Sequence, residues 1–291
     1  MERFHNYLRL VRPEQWVKNS FVLAPLIFSR ELFDLDPLVT ALRALLGFCF
    51  VAGAVYAIND LVDVEEDRAH PVKRHRPVAS GKLSRNEAGA GCVMLLVLGG
   101  LIAWNLDWRY HLILLSYFLI NILYSLKLKE IVLLDVFLVA SGFMLRVLAG
   151  AYAIDVPVSS WIILCTMFIS LFLGFGKRRG ELFLSAGTGY ERKVLSIYRV
   201  EFIDHMLTIS AAGAVITYAL YTVAPSTQAV FRTDKAIYTT VFVLFGVFRY
   251  LFLVHTSRST ENPTAAVTTD ATIVVTGLLW VLTCIGMIYF G

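Results

Sequence analysis

Long apolar runs recur along almost the whole chain and are the feature that most constrains its fold. Each run is long enough to cross the hydrocarbon core of a bilayer as a helix. Nine such runs cover residues 16–33, 38–61, 88–106, 108–125, 131–153, 159–176, 205–223, 235–254 and 271–290. Because 57% of the residues are hydrophobic and only 16% are charged, the pattern predicts an all-α, polytopic membrane protein, a nine-transmembrane-helix bundle that forms one domain over residues 1–291.

The first of these runs is the least regular, because Lys18 and Asn19 lie near its start and Pro25 lies within it. Most of the 26 lysine and arginine residues fall at the N-terminus or in the loops after the second, fourth, sixth and eighth helices. This side of the bundle also includes Arg192, Lys193 and Arg258. The positive-inside rule therefore predicts a multi-pass protein of the cell membrane with these loops and the active site in the cytoplasm and the C-terminus outside.

A run of polar and acidic residues lies at the end of the second predicted helix. Asn59, Asp63 and Asp67 are spaced four apart and so share one face of a helix, whereas Asp60 is turned about 100° away and is expected to support substrate binding from the side. Carboxylate and amide oxygens suit Mg²⁺. We therefore predict that these three residues are metal ligands and catalytic residues. The alternative is a solvated helix end, which the helix dipole disfavours.

Basic residues follow the acidic run directly. Lys73, Arg74 and Arg76 lie in a loop that Pro71 and Pro77 stiffen. Acids that hold Mg²⁺ next to bases that hold phosphate oxygens favour a site for a metal–diphosphate. We predict that Lys73 and Arg74 bind substrate phosphate. The general excess of basic residues in cytoplasmic loops is the alternative, but it does not explain this order of acids and bases.

The acidic run resembles the first signature of the UbiA superfamily of intramembrane prenyltransferases, NDxxDxxxD, which here occupies residues 59–67 and continues through residue 81. The resemblance covers essentially the whole chain. It implies a bundle whose central cavity opens to the cytoplasm. Residues 12–19, 54–56, 141–150 and 176–182 carry a closer resemblance to the decaprenyl-phosphate phosphoribosyltransferase branch of that superfamily.

One departure from the superfamily pattern concerns the segment after the sixth helix. Typical members carry a second aspartate-rich motif there, whereas this chain has Lys177, Arg178 and Arg179. Cations at this place suit direct capture of a prenyl monophosphate and a sugar phosphate. The resemblance implies Mg²⁺-dependent transfer of 5-phosphoribosyl from phosphoribosyl pyrophosphate to a decaprenyl-like polyprenyl phosphate, with release of diphosphate, for cell wall biosynthesis in the cell inner membrane. No nucleic-acid partner is expected, and homo-oligomerisation stays open.

Further substrate-binding candidates are basic or aromatic residues expected near the cytoplasmic opening of the cavity: Lys18, Tyr56, Lys127, Arg146, Lys177 and Arg178. An intramembrane arginine costs at least ~2.5 kcal/mol, so Arg146 is expected to meet a phosphate rather than to pair with Asp135. Lys18 could instead extend to the membrane surface, and Tyr56 could have a local partner. The positive-inside bias explains each of the other three equally well. Asp270 is a weaker candidate, because an acid at a helix start is favoured in any case.

Two other functions remain as alternatives. A UbiA-type prenyltransferase would move a prenyl group from prenyl diphosphate to an aromatic or lipid acceptor, although the lack of a second aspartate motif disfavours it. A transporter or lipid-binding membrane protein without catalysis would explain a charged residue inside the membrane. Such a protein has no need for acidic and basic residues grouped at one opening of the cavity.

Overall fold

The computed structural model describes residues 2–188, 194–256 and 263–290. Three residues of the predicted cytoplasmic side, Arg192, Lys193 and Arg258, lie outside this part of the chain. The described part contains helices and no strand, as predicted. Its α-helices are Glu2–Val11 (α1), Ala24–Phe28 (α2), Leu35–Val62 (α3), Val64–Ala69 (α4), Arg85–Ala103 (α5), Trp108–Leu126 (α6), Leu134–Ala153 (α7), Ser160–Thr188 (α8), Val200–Val223 (α9), Pro225–Phe231 (α10), Thr240–Thr256 (α11), Pro263–Thr269 (α12) and Ala271–Phe290 (α13). The 3₁₀ segments are Pro13–Leu23, Lys73–His75, Leu128–Glu130, Leu195–Ile197 and Lys235–Thr239.

Within the described ranges, eight helical segments are long and apolar enough to cross a membrane, and they correspond to eight of the nine predicted runs. The count of nine is not confirmed. The predicted first span, residues 16–33, is instead the 3₁₀ helix Pro13–Leu23 followed by the short α2. Pro25 is the second residue of α2, and proline is tolerated in the first turn of an α-helix.

The described helices group into two compact units, and the organisation as a single domain stays a prediction. The first unit is Met1–Leu26, Phe33–Ile131 and Leu145–Pro157. Its centre is α3, which packs closely against α5. A Cβ on Gly99 would lie 3.2 Å from the carbonyl oxygen of Gly47, so the backbones approach in the way that small residues allow between membrane helices.

A second close approach joins the N-terminal 3₁₀ helix to the last part of α7. A Cβ on Gly150 would overlap the carbonyl oxygen of Val22, so only glycine permits this packing. Arg146 lies one turn before Gly150 and donates from Nε to Asn19 Oδ1 at 2.8 Å. The approach therefore seats the segment that carries Lys18 and Asn19 against α7.

The start of α5 fixes where the basic loop after α4 ends. Ser84 and Glu87 form a reciprocal capping box: the Glu87 N–H donates to Ser84 Oγ at 3.2 Å, and the Ser84 N–H donates to Glu87 Oε2 at 2.9 Å. Such a cap satisfies two of the backbone donors that a helix start leaves open.

The second unit is Ile27–Leu32, Val132–Met144 and Val158–Gly291. Its main core lies along α8, α9 and α11, with Phe172, Leu207 and Tyr250 among the buried residues. A second, aromatic cluster includes Tyr218 and Phe231. Many large apolar side chains of the chain are exposed, which is expected where lipid is the solvent.

Candidate active site

The acidic run lies at the junction of α3 and α4, and Asp63 is the residue between the two helices. The Asp63 N–H donates to the Asn59 carbonyl at 2.9 Å, and the Asp67 N–H donates to the Asp63 carbonyl at 2.8 Å. Both are i to i−4 bonds, so helical spacing continues through the junction. Asn59, Asp63 and Asp67 are therefore one turn apart, as predicted.

The side chains of the run nevertheless separate into two groups, and the first group is buried. Arg76 Nη1 lies 2.6 Å from Asp67 Oδ2 and 3.3 Å from Asp60 Oδ1. Arg12 donates to the same oxygen of Asp60. Both carboxylates are almost inaccessible, with residue exposures of 1% for Asp60 and 3% for Asp67. Arg76 therefore links Asp67 to Asp60, which lies seven residues, or about two helical turns, before it. The role of Asp67 as a metal ligand stays a prediction.

The second group is more open and consists of Asn59 and Asp63 with their partners. Ser125 Oγ donates to Asn59 Oδ1. Lys129 Nζ lies 2.6 Å from Asp63 Oδ1 and 3.5 Å from Glu66 Oε2. The Lys129 side chain is only 11% exposed, whereas that of Glu66 is 61% exposed. One nearly buried ammonium therefore faces two carboxylates.

Arg12 adopts an unusual backbone conformation next to this site. Its φ of 52° lies in the left-handed region, which non-glycine residues seldom adopt, and Pro13 follows it. Its guanidinium lies over the Tyr56 ring, with Cζ 5.1 Å from the ring centroid. Such strain persists when the surroundings fix the conformation, and here the ion pair with Asp60 does so.

The donor atoms of the run fit a Mg²⁺ ion that is shared with a substrate phosphate, and they do not form a closed protein site. In the described ranges, no three His, Cys, Asp or Glu side chains group as a metal site. Asn59 Oδ1 and the Asp63 carboxylate are oxygen ligands, and in the separate buried group Asp60 Oδ2 has no hydrogen-bond partner among the described residues. Magnesium is commonly bound by one or two carboxylates plus phosphates and water. Asp67 is the least available of the three predicted ligands, because Arg76 holds it.

Arg146 is buried in the membrane-spanning part of the first unit, with an exposure of 4%. Besides Asn19, it donates from Nη2 to the Tyr117 hydroxyl at 3.1 Å, and its Cζ lies 5.1 Å from the Phe48 ring centroid. The alternative of a pair with Asp135 is wrong, because Asp135 pairs with Arg178. The observed contacts join α3, α6, α7 and the N-terminal 3₁₀ helix.

The remaining candidates of the first unit differ in exposure. Lys18, Tyr56 and Lys73 are partly buried, Tyr56 beneath Arg12. Arg74 and Lys127 are exposed, and Lys127 ends α6 as its C-cap. Their contact with substrate stays a prediction.

Comparison with known proteins identifies the family of this chain. The model of the UbiA prenyltransferase family matches residues 21–178, which include the acidic run and its partners from Arg76 to Lys129. The chain belongs to the UbiA prenyltransferase family.

The relatives and solved structures of this UbiA-family chain agree with that assignment. It is 38% identical over 219 residues to a decaprenyl-phosphate phosphoribosyltransferase of Mycolicibacterium smegmatis, an alignment of 74% of this chain and 69% of the relative. It is 36% identical to the protein of that name from Mycobacterium tuberculosis, over 74% and 72% of the two chains. A UbiA homologue from Archaeoglobus fulgidus bound to GPP and Mg²⁺ shares the fold, with a TM-score of 0.72, 21% identity and coverage of 97% and 99%.

Lys177 and Arg178 of the UbiA-family chain belong to the second unit. Arg178 is 1% exposed, and its Nε lies 2.8 Å from Asp135 Oδ2. Lys177 is on the same helix, and its side chain is 40% exposed. Their predicted convergence with the residues of the first unit stays a prediction. Asp270 caps α13 and binds Arg249, whose hydrogen bond holds the pKa of that carboxyl below its usual value.

Several residues that contact the acidic run are not among the predicted site residues. Three of them are basic residues that the sequence places near it: Arg12 in the segment used for the family resemblance, Arg76 in the basic loop, and Lys129, which like Lys127 ends the fourth predicted helix on the cytoplasmic side. Nothing in the sequence spacing indicated that Ser125 would donate to Asn59.

Proposed function

We propose that this UbiA-family chain transfers a 5-phosphoribosyl group from phosphoribosyl pyrophosphate to a polyprenyl phosphate of the decaprenyl class and releases diphosphate. The observation that carries the proposal is the arrangement in the first unit, where Lys129 lies 2.6 Å from Asp63 Oδ1, one helical turn after Asn59. Relatives 36–38% identical that have the name of this activity support it.

The charges of the two groups suggest how the donor is held. Arg12 and Arg76 balance Asp60 and Asp67, so that the buried group is neutral. Lys129 pairs with both Asp63 and Glu66, so one ammonium faces two carboxylates where the site is more open. A divalent cation is attracted to that point. Mg²⁺ bound by Asn59 and Asp63 would neutralise charge on the departing diphosphate.

The transfer itself requires little proton chemistry from the chain. An oxygen of the lipid phosphate attacks C1 of the ribose, and the bond from C1 to the diphosphate oxygen breaks with its electron pair leaving on the diphosphate. The lipid phosphate is already ionised, so no general base is needed. The contribution of the chain is to position the two substrates and to place cations near their phosphates. The proposed phosphate contacts nearest the acidic run are Lys73 and Arg74, which follow it in the sequence, and Lys129, which lies 2.6 Å from Asp63 Oδ1.

The decisive experiment follows the label of the donor. Purified wild-type protein in nanodiscs is given Mg²⁺, phosphoribosyl pyrophosphate labelled in the ribose, and decaprenyl phosphate. We expect label in the organic phase, and none when EDTA removes the metal. Asp63→Ala should abolish the product with the fold retained, because it removes the open carboxylate. Asp155→Asn, at an 82% exposed carboxylate, is the matched control and should keep the activity.

Failure to form a labelled lipid with the wild type would contradict the proposal. Full activity of Asp63→Ala would remove Asp63 from the metal site while leaving the reaction intact. The two results are separate, because the first concerns the substrates and the second concerns one ligand.

Prenyl transfer is the second candidate function. It is favoured by a 101-residue stretch, 34% of the chain, that is 37% identical to a digeranylgeranylglyceryl phosphate synthase of Methanocaldococcus jannaschii. In a parallel reaction, a labelled prenyl diphosphate with aromatic and glycerol phosphate acceptors replaces the phosphoribosyl donor. A product in this reaction alone would establish the second candidate in place of the first.

A further inference from the structure

The first helix of the first unit, α1, is amphipathic and packs against the rest of that unit along one side only. Leu10 is fully buried, in a cluster with residues of α3 and α5. His5, Leu8 and Arg9 are exposed, and Leu8 keeps 42% of its surface accessible. Residues three and four apart share one face of a helix, so these three residues form the outward face of α1.

The exposed side chains of α5 change character at the level where α1 meets it. A Cβ on Gly91 would lie 3.2 Å from the Tyr7 ring, so α1 packs against α5 at this point. The exposed residues before Gly91 include Arg85 and Asn86, whereas Val93, which is 62% exposed, begins a series of large apolar side chains that face outward. In a membrane helix such a change marks the boundary between headgroups and acyl chains. The outward face of α1 therefore lies at the level of that boundary.

The charges of α1 suit an anionic partner at this level. Arg9 Nη2 donates to the His75 carbonyl at 3.5 Å, and no described carboxylate forms an ion pair with Arg3 or Arg9. The carboxylate whose charge acts on Arg3, that of Glu87, is held by the Ser84 cap. Arginine binds phosphate oxygens through charge-assisted hydrogen bonds, and basic side chains near a membrane surface are attracted to anionic lipids.

We propose that α1 is an interfacial helix that binds anionic phospholipid headgroups of the cytoplasmic leaflet. Arg3 and Arg9 are the phosphate contacts, and Leu8 inserts among the upper parts of the acyl chains. The general excess of basic residues on the cytoplasmic side does not explain an exposed leucine between two arginines, whereas a helix that lies in the membrane surface needs both kinds of side chain. The proposal is independent of the reaction that the chain performs.

The position of α1 links this lipid contact to the acidic run. The helix ends at Val11, and the next residue, Arg12, binds Asp60. Arg9 contacts the His75 carbonyl in the basic loop that also carries Arg76. A lipid that fixes α1 therefore also steadies two segments that hold the buried carboxylates. Because the lipid binds the folded chain, it should raise the stability of the protein, which can be measured without any turnover.

Thermal unfolding in a neutral detergent tests the headgroup contact. Short-chain phosphatidylglycerol or phosphatidylcholine is added at increasing concentrations. We expect phosphatidylglycerol to raise the unfolding temperature more strongly than phosphatidylcholine. Arg3→Gln and Arg9→Gln should each weaken the apparent affinity for phosphatidylglycerol about fivefold, the effect of one basic residue near an anionic surface, and Arg9→Lys should keep most of it. Lys235→Gln, at an exposed lysine of the second unit, is the control and should behave as wild type does.

Two further phosphate compounds separate a bilayer lipid from other sources of phosphate. Inorganic phosphate and decaprenyl phosphate should stabilise wild type and the double variant Arg3→Gln/Arg9→Gln equally, because neither is a headgroup of the bilayer. If the double variant loses affinity for decaprenyl phosphate but not for phosphatidylglycerol, the arginines serve the substrate and the proposal is overturned. Equal stabilisation of wild type and the double variant by phosphatidylglycerol overturns it as well.

Fluorescence quenching tests the depth of the outward face in the intact protein. Leu8→Cys is labelled with a small fluorophore in nanodiscs, and wild type, whose four cysteines are buried or half-buried, gives the background. A phospholipid spin-labelled near the headgroup end of its acyl chain should quench this probe more than aqueous iodide does. Asn86→Cys, at the exposed polar start of α5, is the control and should show the reverse. Stronger quenching of the Leu8→Cys probe by iodide would show that α1 faces water and would contradict the proposal.

Discussion

At the scale of single residues, the unusual feature of the site is that two arginines share one carboxylate oxygen. Arg12 and Arg76 both bind Asp60 Oδ1, and Arg76 continues to Asp67. A buried carboxylate of this kind is expensive to remove, because its loss takes the ion-pair partner from Arg12 and leaves Arg76 with Asp67 alone. Asp60 is therefore better understood as the residue that holds the two arginines than as a direct substrate contact.

This leads to a prediction about stability. Asp60→Asn keeps the shape of the side chain but removes its charge, so we expect a loss of about 3–5 kcal/mol in the free energy of unfolding. Asp155→Asn is the matched control, because it removes the same charge from an exposed pair with Arg109. Asn tolerates the left-handed backbone of Asp155, so the control should lose less than ~1 kcal/mol. Denaturant or thermal unfolding in detergent measures both variants, and equal losses would contradict the argument.

The same residues show how far the sequence predicts the site. The spacing of Asn59, Asp63 and Asp67 predicts the acidic run and its helical register, because these depend on neighbours along the chain. The partners of the carboxylates lie far away in sequence: 48 residues separate Arg12 from Asp60, and 66 separate Lys129 from Asp63. Tertiary packing decides which carboxylate meets which cation, and no periodicity carries that information.

At the scale of elements, the N-terminal 3₁₀ helix is the unexpected part of the fold. It has 11 residues, whereas 3₁₀ runs beyond three or four residues are uncommon. Apolar length predicts the eight long helices well, because lipid imposes length on any helix that crosses it. The apolar length of a segment does not distinguish a 3₁₀ helix from an α-helix. In the N-terminal segment we attribute the 3₁₀ form to the contacts of Asn19 and to the approach of Val22 to Gly150.

Gly150→Ala tests the importance of that approach. The added methyl group would overlap the Val22 carbonyl and force the 3₁₀ helix away from α7. Overpacking of this kind costs about 1–3 kcal/mol, and here it should also weaken substrate binding, because Arg146 and Asn19 would separate. Gly100→Ala, where nothing lies within 4 Å, is the control and should gain up to ~1 kcal/mol from better helix propensity. Unfolding and donor affinity are measured on both, and a Gly150→Ala protein as stable as wild type would refute the role of the approach.

At the scale of the whole molecule, the 3₁₀ helix bears on how many times the chain crosses the membrane. If Pro13–Leu23 and α2 run end to end, they reach about 30 Å, the thickness of the hydrocarbon core, because a 3₁₀ helix rises further per residue than an α-helix. The polar Asn19 is satisfied inside the protein by Arg146 and Cys49, as a crossing segment requires. The segment can therefore serve as the ninth crossing, although it is not one of the eight long helices.

The number of crossings between two exposed residues of the first unit decides this question. Arg3 precedes the 3₁₀ helix, and Lys82 follows α3 and α4. If the segment crosses, two crossings separate these residues and both lie in the cytoplasm, as the positive-inside rule predicts. We therefore expect Arg3→Cys and Lys82→Cys to react with a membrane-impermeant maleimide only after cells are permeabilised. Lys235→Cys, predicted to lie outside, is the control that should react in intact cells. Reaction of Arg3→Cys but not Lys82→Cys in intact cells would leave eight crossings, because the chain would then cross only once between them.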